Sequence, residues 1–138
     1  MNGLAFFDTN ILLYADDVAS PEKQARAIEL VAGHLRRRTA IISLQVLQEY
    51  YAAATRKLRM PPEEAQEKVA ILSRGWVVRF EPQDIVSAIE LHRLSQISFW
   101  DALIVHAARS AGASLLYTED LQPGSVLGGV RVVNPFSA

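Results

Sequence analysis

Four acidic residues stand where carboxylates are costly. Asp8 ends the apolar run Leu4-Ala5-Phe6-Phe7, and Asp120 follows Leu115-Leu116-Tyr117 by way of Thr118 and Glu119. Glu49 and Asp101 lie inside segments whose spacing predicts helices with apolar faces. A carboxylate loses its water in such surroundings and must be compensated by donors or a cation. Four of them in one small chain point to a divalent-metal site. An all-carboxylate, oxygen-rich site prefers a hard cation, Mg²⁺ or Mn²⁺, to zinc. Such sites serve phosphoryl chemistry, in which metals generate and orient a hydroxide and stabilise charge on the departing oxygen. No Walker lysine loop or glycine-rich cradle is present, which argues against nucleoside triphosphate hydrolysis and leaves phosphodiester hydrolysis as the match.

Each acid also has a plainer explanation. Asp8-Thr9-Asn10 can cap a short helix over 11–15. Glu49 shares a helix side with Gln45 and Arg56 and can pair with the arginine. Asp101 stands three residues after Ser98, where it can return a bond to a cap. Glu119 and Asp120 can be ordinary loop polarity. Only joint placement distinguishes the two accounts, and that depends on the elements.

The pattern alternates strands and helices: strand 4–7, helix 21–37 with Ser20 as N-cap and Pro21 at its first position, strand 39–42, helix 44–58, a helix from Pro61-Pro62 to Arg74-Gly75, strand 76–80, helix 82–94, a Ser98-capped helix to Gly112, strand 115–117 and strand 130–133. Several strands are apolar on both faces, which predicts a parallel sheet covered by helices, a three-layer α/β/α fold. In such folds ligands bind beyond the carboxyl ends of the strands, where strand order reverses. Asp8 follows the first strand and Asp120 the fourth. Asp101 opens the helix feeding the fourth strand, and Glu49 lies in the helix leaving the second. All four can converge on one rim.

Composition bounds the rest. The chain has 138 residues, 50% hydrophobic, and is expected to form a single domain over residues 1–138. There is no cysteine, which excludes disulfides, thiolate metal sites and a cysteine nucleophile. Met1-Asn2-Gly3 does not begin a signal peptide, and no apolar run is long enough to span a bilayer, so a cytoplasmic protein is expected. The net charge of −1 argues against indiscriminate nucleic-acid binding. Two basic segments, His34-Leu35-Arg36-Arg37-Arg38 and Arg56-Lys57-Leu58-Arg59, fall near helix ends, where cations complement the helix dipole as well as they would contact RNA. His34, His92 and His106 lack zinc-ligand spacing and read as surface or boundary residues.

Asp8-Thr9-Asn10, Leu47-Gln48-Glu49-Tyr50-Tyr51, Ser98-Phe99-Trp100-Asp101-Ala102 and Tyr117-Thr118-Glu119-Asp120-Leu121 together resemble a PIN-domain ribonuclease, most closely the VapC toxin of bacterial toxin–antitoxin pairs. The likeness runs in order along nearly the whole chain. It implies a five-stranded parallel sheet in order 3-2-1-4-5 and a Mg²⁺- or Mn²⁺-dependent endoribonuclease. Asp8, Glu49, Asp101 and Asp120 take the acidic roles, with Asp8 and Asp101 on the metal and Glu49 and Asp120 completing the shell or positioning water. Asn10, Thr118 and Glu119 are implied as supporting groups that orient carboxylates. The resemblance also implies a homodimer and a cognate antitoxin that places a basic side chain among the acids. A housekeeping RNA-processing nuclease and a non-catalytic PIN-like binding module are the alternatives. A haloacid-dehalogenase-like phosphatase fails because Asn10 stands where a second Asp is needed, and a receiver-like module fails at Glu81-Pro82 and Asn134-Pro135.

Overall fold

The computed structural model describes residues 3–137, so Met1 and Asn2 of the amino-terminal reading lie outside the described residues. Strand β1 (Ala5–Phe7) leads into the short helix α1 (Thr9–Ala15), then α2 (Pro21–Arg37), β2 (Ala40–Ser43), α3 (Leu44–Arg56), α4 (Pro62–Leu72) and β3 (Trp76–Val78). The second half runs through α5 (Pro82–Ser95), α6 (Phe99–Ser110), β4 (Leu115–Tyr117), β5 (Val126–Leu127) and β6 (Val130–Val133).

The sheet has six strands in order β3-β2-β1-β4-β6-β5. Five are parallel in the expected order, β6 taking the fifth place. The expectation of five strands is corrected by β5, which pairs antiparallel with β6 at the edge. Gly128 and Gly129, at φ 56° and 84°, make the two-residue turn between them. That left-handed pair is what a tight hairpin requires and what glycine adopts without strain.

Both faces of the sheet are buried. Phe7 and Tyr117 are register partners whose rings stack at 5.2 Å. They pack against His34 of α2, edge-on at 5.5 and 5.7 Å. Phe6 and Leu116, one residue earlier, point to the opposite face and are fully buried. Helix α6 is buried continuously from Ala102 to Ala108, the pattern of a helix packed within a layer rather than laid on a surface.

Two histidines read as surface or boundary residues are buried instead. His34 shares a 2.7 Å hydrogen bond between Nδ1 and the Thr39 hydroxyl, and burial lowers its pKa. His106 Nε2 lies 2.9 Å from Asp84, while Arg109 Nε donates to His106 Nδ1 at 2.9 Å. Since Arg109 has only donors, His106 Nδ1 must accept, which leaves its proton on Nε2 facing Asp84. Asp84 also closes a capping box with Glu81 at the start of α5. Burial is tolerated at both histidines because each ring has its partner.

Candidate active site

Asp8 is the first residue beyond β1. Its backbone N–H bonds to Tyr117 O at 3.0 Å, a last rung between β1 and β4. The chain then turns into α1, and Asp8 is its N-cap. One carboxylate oxygen accepts from Thr9 N at 2.8 Å and the other from the Thr118 hydroxyl at 2.8 Å. The side chain is buried. Desolvation raises its pKa from 3.8 to about 6, the two hydrogen bonds oppose that shift, and the charges of Asp120 and Glu49 add to it.

Thr118, the first residue after β4, is completely buried and uses its hydroxyl fully. It donates to Asp8 and accepts from Asn10 Nδ2 at 3.3 Å and from Asp120 N at 3.1 Å. Asn10 Nδ2 also donates to an Asp120 oxygen at 3.0 Å. Asn10, Thr118 and Asp120 thereby tie the α1 and β4 ends of the crevice together. Asn10 Oδ1 is buried and has no hydrogen-bond partner among the described residues.

Glu49 reaches the same crevice from the second turn of α3. Its oxygens accept from the Thr9 hydroxyl at 2.7 Å and from Gln45 Nε2 at 3.1 Å. The pairing with Arg56 that its helix side allowed does not form. Asp101 is the third residue of α6, and its N–H bonds to the Ser98 hydroxyl at 3.0 Å. Its pKa is raised, first by burial and then by the charges of Asp120 and Glu49, with the Ser98 bond opposing. Asp101 is therefore a capping-turn residue whose carboxylate still faces the acid cluster.

Asp120 and Glu49 lie close enough to act electrostatically on both Asp8 and Asp101, and Asn10 and Thr118 join Asp8 to Asp120. Glu119 turns away: its oxygens accept from the Tyr14 hydroxyl at 2.7 Å and from Lys23 Nζ at 3.1 Å. Thr9 and Gln45 are supporting groups that sequence reasoning did not assign. Gln45 precedes Glu49 by one helical turn, a spacing that brings side chains into contact and was visible in the sequence. The Thr9 contact crosses from α1 to α3 and left no local signal.

The donor set is oxygen-only, as a hard cation requires. Among the described residues, no three acidic or imidazole side chains close on a single point as a dedicated cage would. Mg²⁺ does not need one: it keeps several waters and binds through one or two carboxylates. A buried Asp8 carboxylate repelled by two neighbours, beside an unpartnered Asn10 Oδ1, carries an excess of negative potential that a divalent cation would offset. The residues fit such an ion.

The model of the PIN domain family matches residues 5–124. The chain belongs to the PIN domain family. Solved structures share the fold of this PIN domain. A toxin–antitoxin complex from Klebsiella pneumoniae superposes with a TM-score of 0.70 at 22% identity over 97% of this chain and 99% of that one. VapBC2 from Rickettsia felis, bound to a DNA fragment from its promoter, gives 0.66 at 23% identity over 94% and 96%. VapC20 from Mycobacterium tuberculosis, a sarcin–ricin loop cleaving toxin, gives 0.66 at 21% identity over 84% and 89%. No curated protein matches the sequence. No helix of the described residues is long and apolar enough to cross a membrane.

Proposed function

We propose that this PIN domain is a metal-dependent endoribonuclease and the toxin of a toxin–antitoxin pair. The observation that carries the reading is the effect of the Glu49 and Asp120 charges on both Asp8 and Asp101, with Asp8 buried and its pKa raised to about 6. Family membership and the likeness to toxins of such pairs support it.

Asp8 and Asp101 would hold Mg²⁺ or Mn²⁺. When bound, the ion would supply a water of lowered pKa and a counter-charge for the departing oxygen of an RNA phosphodiester. The protein's own contribution is positional. Thr118 and the Thr9 N–H fix both oxygens of Asp8, while Thr9 and Gln45 fix Glu49. Asn10 fixes Asp120, leaving Glu49 and Asp120 to orient water beside the scissile phosphate. The protein would act in the cytoplasm as a single-domain homodimer, held inactive by a cognate antitoxin. The test is incubation of antitoxin-free protein with single-stranded and structured RNAs in Mg²⁺, Mn²⁺ or EDTA. Cleavage with either ion that EDTA abolishes is expected. Equal cleavage in EDTA would refute the mechanism, and binding without cleavage under every condition would favour a binding module.

A further inference from the structure

The acid cluster poses an electrostatic problem for its own substrate. RNA is a polyanion, the chain has a net charge of −1, and the crevice is rimmed by carboxylates. Some part of the surface leading to the acids must attract the strand.

Two cavities adjoin the cluster. One lies on the Gln45 side and is lined by Ser43, Gln48, Phe80, Ile85 and Trp100, with no charged side chain among its walls. The other is an open groove of about 510 Å³ that begins at Asn10 and Asp120 and reaches Lys57. Its walls are the apolar side chains of Leu13 and Leu58 and the ring of Tyr14. Besides Asp120 it has two acids, of which Glu119 is charge-paired and Asp17, among the described residues, is bonded only to a backbone N–H. Glu119 is paired with Lys23 at 3.1 Å, and an Asp17 oxygen accepts from Ala19 N at 3.1 Å.

Lys57 is the C-cap of α3, the helix that carries Glu49. It is exposed, as are Arg56 and Arg59 beside it. Among the described residues, none of these three cations is in an ion pair. The turn that presents them is fixed. Arg59 adopts a left-handed φ of 55°, and Met60 N bonds back to Ala54 O at 3.0 Å. A non-glycine residue holds that conformation only where its surroundings impose it. The groove thus has Asp120 of the acid cluster at one end, Lys57 on a fixed turn at the other with Arg56 and Arg59 beside it, and a largely apolar wall between.

We propose that this groove carries the RNA strand on one side of the scissile bond and that Lys57 holds a backbone phosphate of it. The inference rests on the nuclease reading above and extends it to the path of the substrate. Arg56 and Arg59 add to the attracting field, while Leu13, Leu58 and Tyr14 offer surface to the sugar and base. Lys57 is a positioning residue, since it touches a phosphate away from the reacting one.

The experiment measures binding of a labelled single-stranded RNA in EDTA as a function of salt, and KM and kcat for the same RNA in Mg²⁺. One phosphate contact to a single strand contributes a slope of about 0.7 in log affinity against log salt, which is about fivefold near 0.1 M. Lys57→Gln should weaken binding by about that factor, flatten the slope by about 0.7, and raise KM with kcat retained. Lys57→Arg should restore all three, and Arg93→Gln on α5, outside the groove, should change none. Equal melting curves establish that the variants fold. If wild type cuts RNA and Lys57→Gln matches it in slope and KM, the groove inference is overturned while the nuclease reading stands. If RNA binding depends on Lys57 but nothing is cut, the Lys57–phosphate contact stands, while the nuclease reading and with it the placement beside a scissile bond are overturned. Loss of affinity for an acidic protein segment with RNA binding intact would also overturn the inference, assigning the groove to a protein partner.

Discussion

Replacing Asp8 by asparagine should reverse the sign of its effect on stability between acid and neutral pH. The buried carboxyl titrates at about 6 against 3.8 for the free side chain. Between those values the folded chain holds a proton that the unfolded chain has released, so stability falls as pH rises from about 4 to about 6 and stays lower above. That rise from 3.8 to about 6 amounts to about 3 kcal/mol of destabilisation by the ionised group at neutral pH. Asparagine removes that charge but has one acceptor oxygen in place of two. Either the Thr9 N–H or the Thr118 hydroxyl then meets an amide N–H₂ instead of an acceptor, at a cost of about 1–2 kcal/mol. Metal-free Asp8→Asn should therefore be about 1–2 kcal/mol more stable than wild type near pH 7.5 and about 1 kcal/mol less stable near pH 4. Urea unfolding in EDTA at both pH values reads this directly. Adding Mn²⁺ near pH 7.5 should stabilise wild type and narrow the gap, because the ion binds only the folded carboxylate site. The same destabilisation at both pH values would make Asp8 an ordinary helix cap.

Three further outcomes follow from the hydrogen-bond network. Thr118→Val removes the hydroxyl shared by Asp8, Asn10 and Asp120 N, and should cost about 2–4 kcal/mol in urea unfolding together with cleavage activity. Gln45→Ala frees one oxygen of Glu49 and should lower cleavage or metal affinity about 10- to 100-fold with less than about 1 kcal/mol lost in stability. Glu119→Gln disrupts only a partly exposed pair with Lys23 and should retain cleavage within about threefold, at less than about 1 kcal/mol, whereas Asp120→Asn should lose most of it.

Strands, helices and their order were legible wherever side-chain pattern and punctuation agreed. Pro21 and the basic end of α2 mark its bounds, although the Ser20 side chain makes no capping bond. The parallel sheet followed from strands apolar on both faces, whereas its strand order was implied only by the family resemblance. β5 was not legible, because two residues cannot display an alternation and only Gly128-Gly129 announces the hairpin. Helix α3 stops at Arg56 and β3 at Val78, short of the apolar residues that seemed to extend them. In the site, the acids were visible as residues out of place, but their partners were not. Glu49 looked pairable with Arg56, yet its second partner, Thr9, comes from another helix 40 positions away. Glu119 and Asp120 are neighbours in a loop, and nothing local says which one faces Asn10. The Thr118 hydroxyl, by accepting from Asp120 N, sets that direction. Burial of His34 and His106 was hidden for the same reason. It is permitted by Thr39 in one case and by Asp84 and Arg109 in the other.

On the proposed function, the carboxylates in the β1–β4 crevice perform metal-dependent RNA cleavage. Its most direct measurement is single-turnover cleavage of one RNA by wild type, Asp8→Asn and Asp101→Asn across a Mn²⁺ titration, with folding of each variant verified by its melting curve. Ion-dependent cleavage by wild type and a loss of at least about 100-fold in both folded variants is the predicted result. Wild-type rates in either folded variant, or rates indifferent to Mn²⁺, would contradict it.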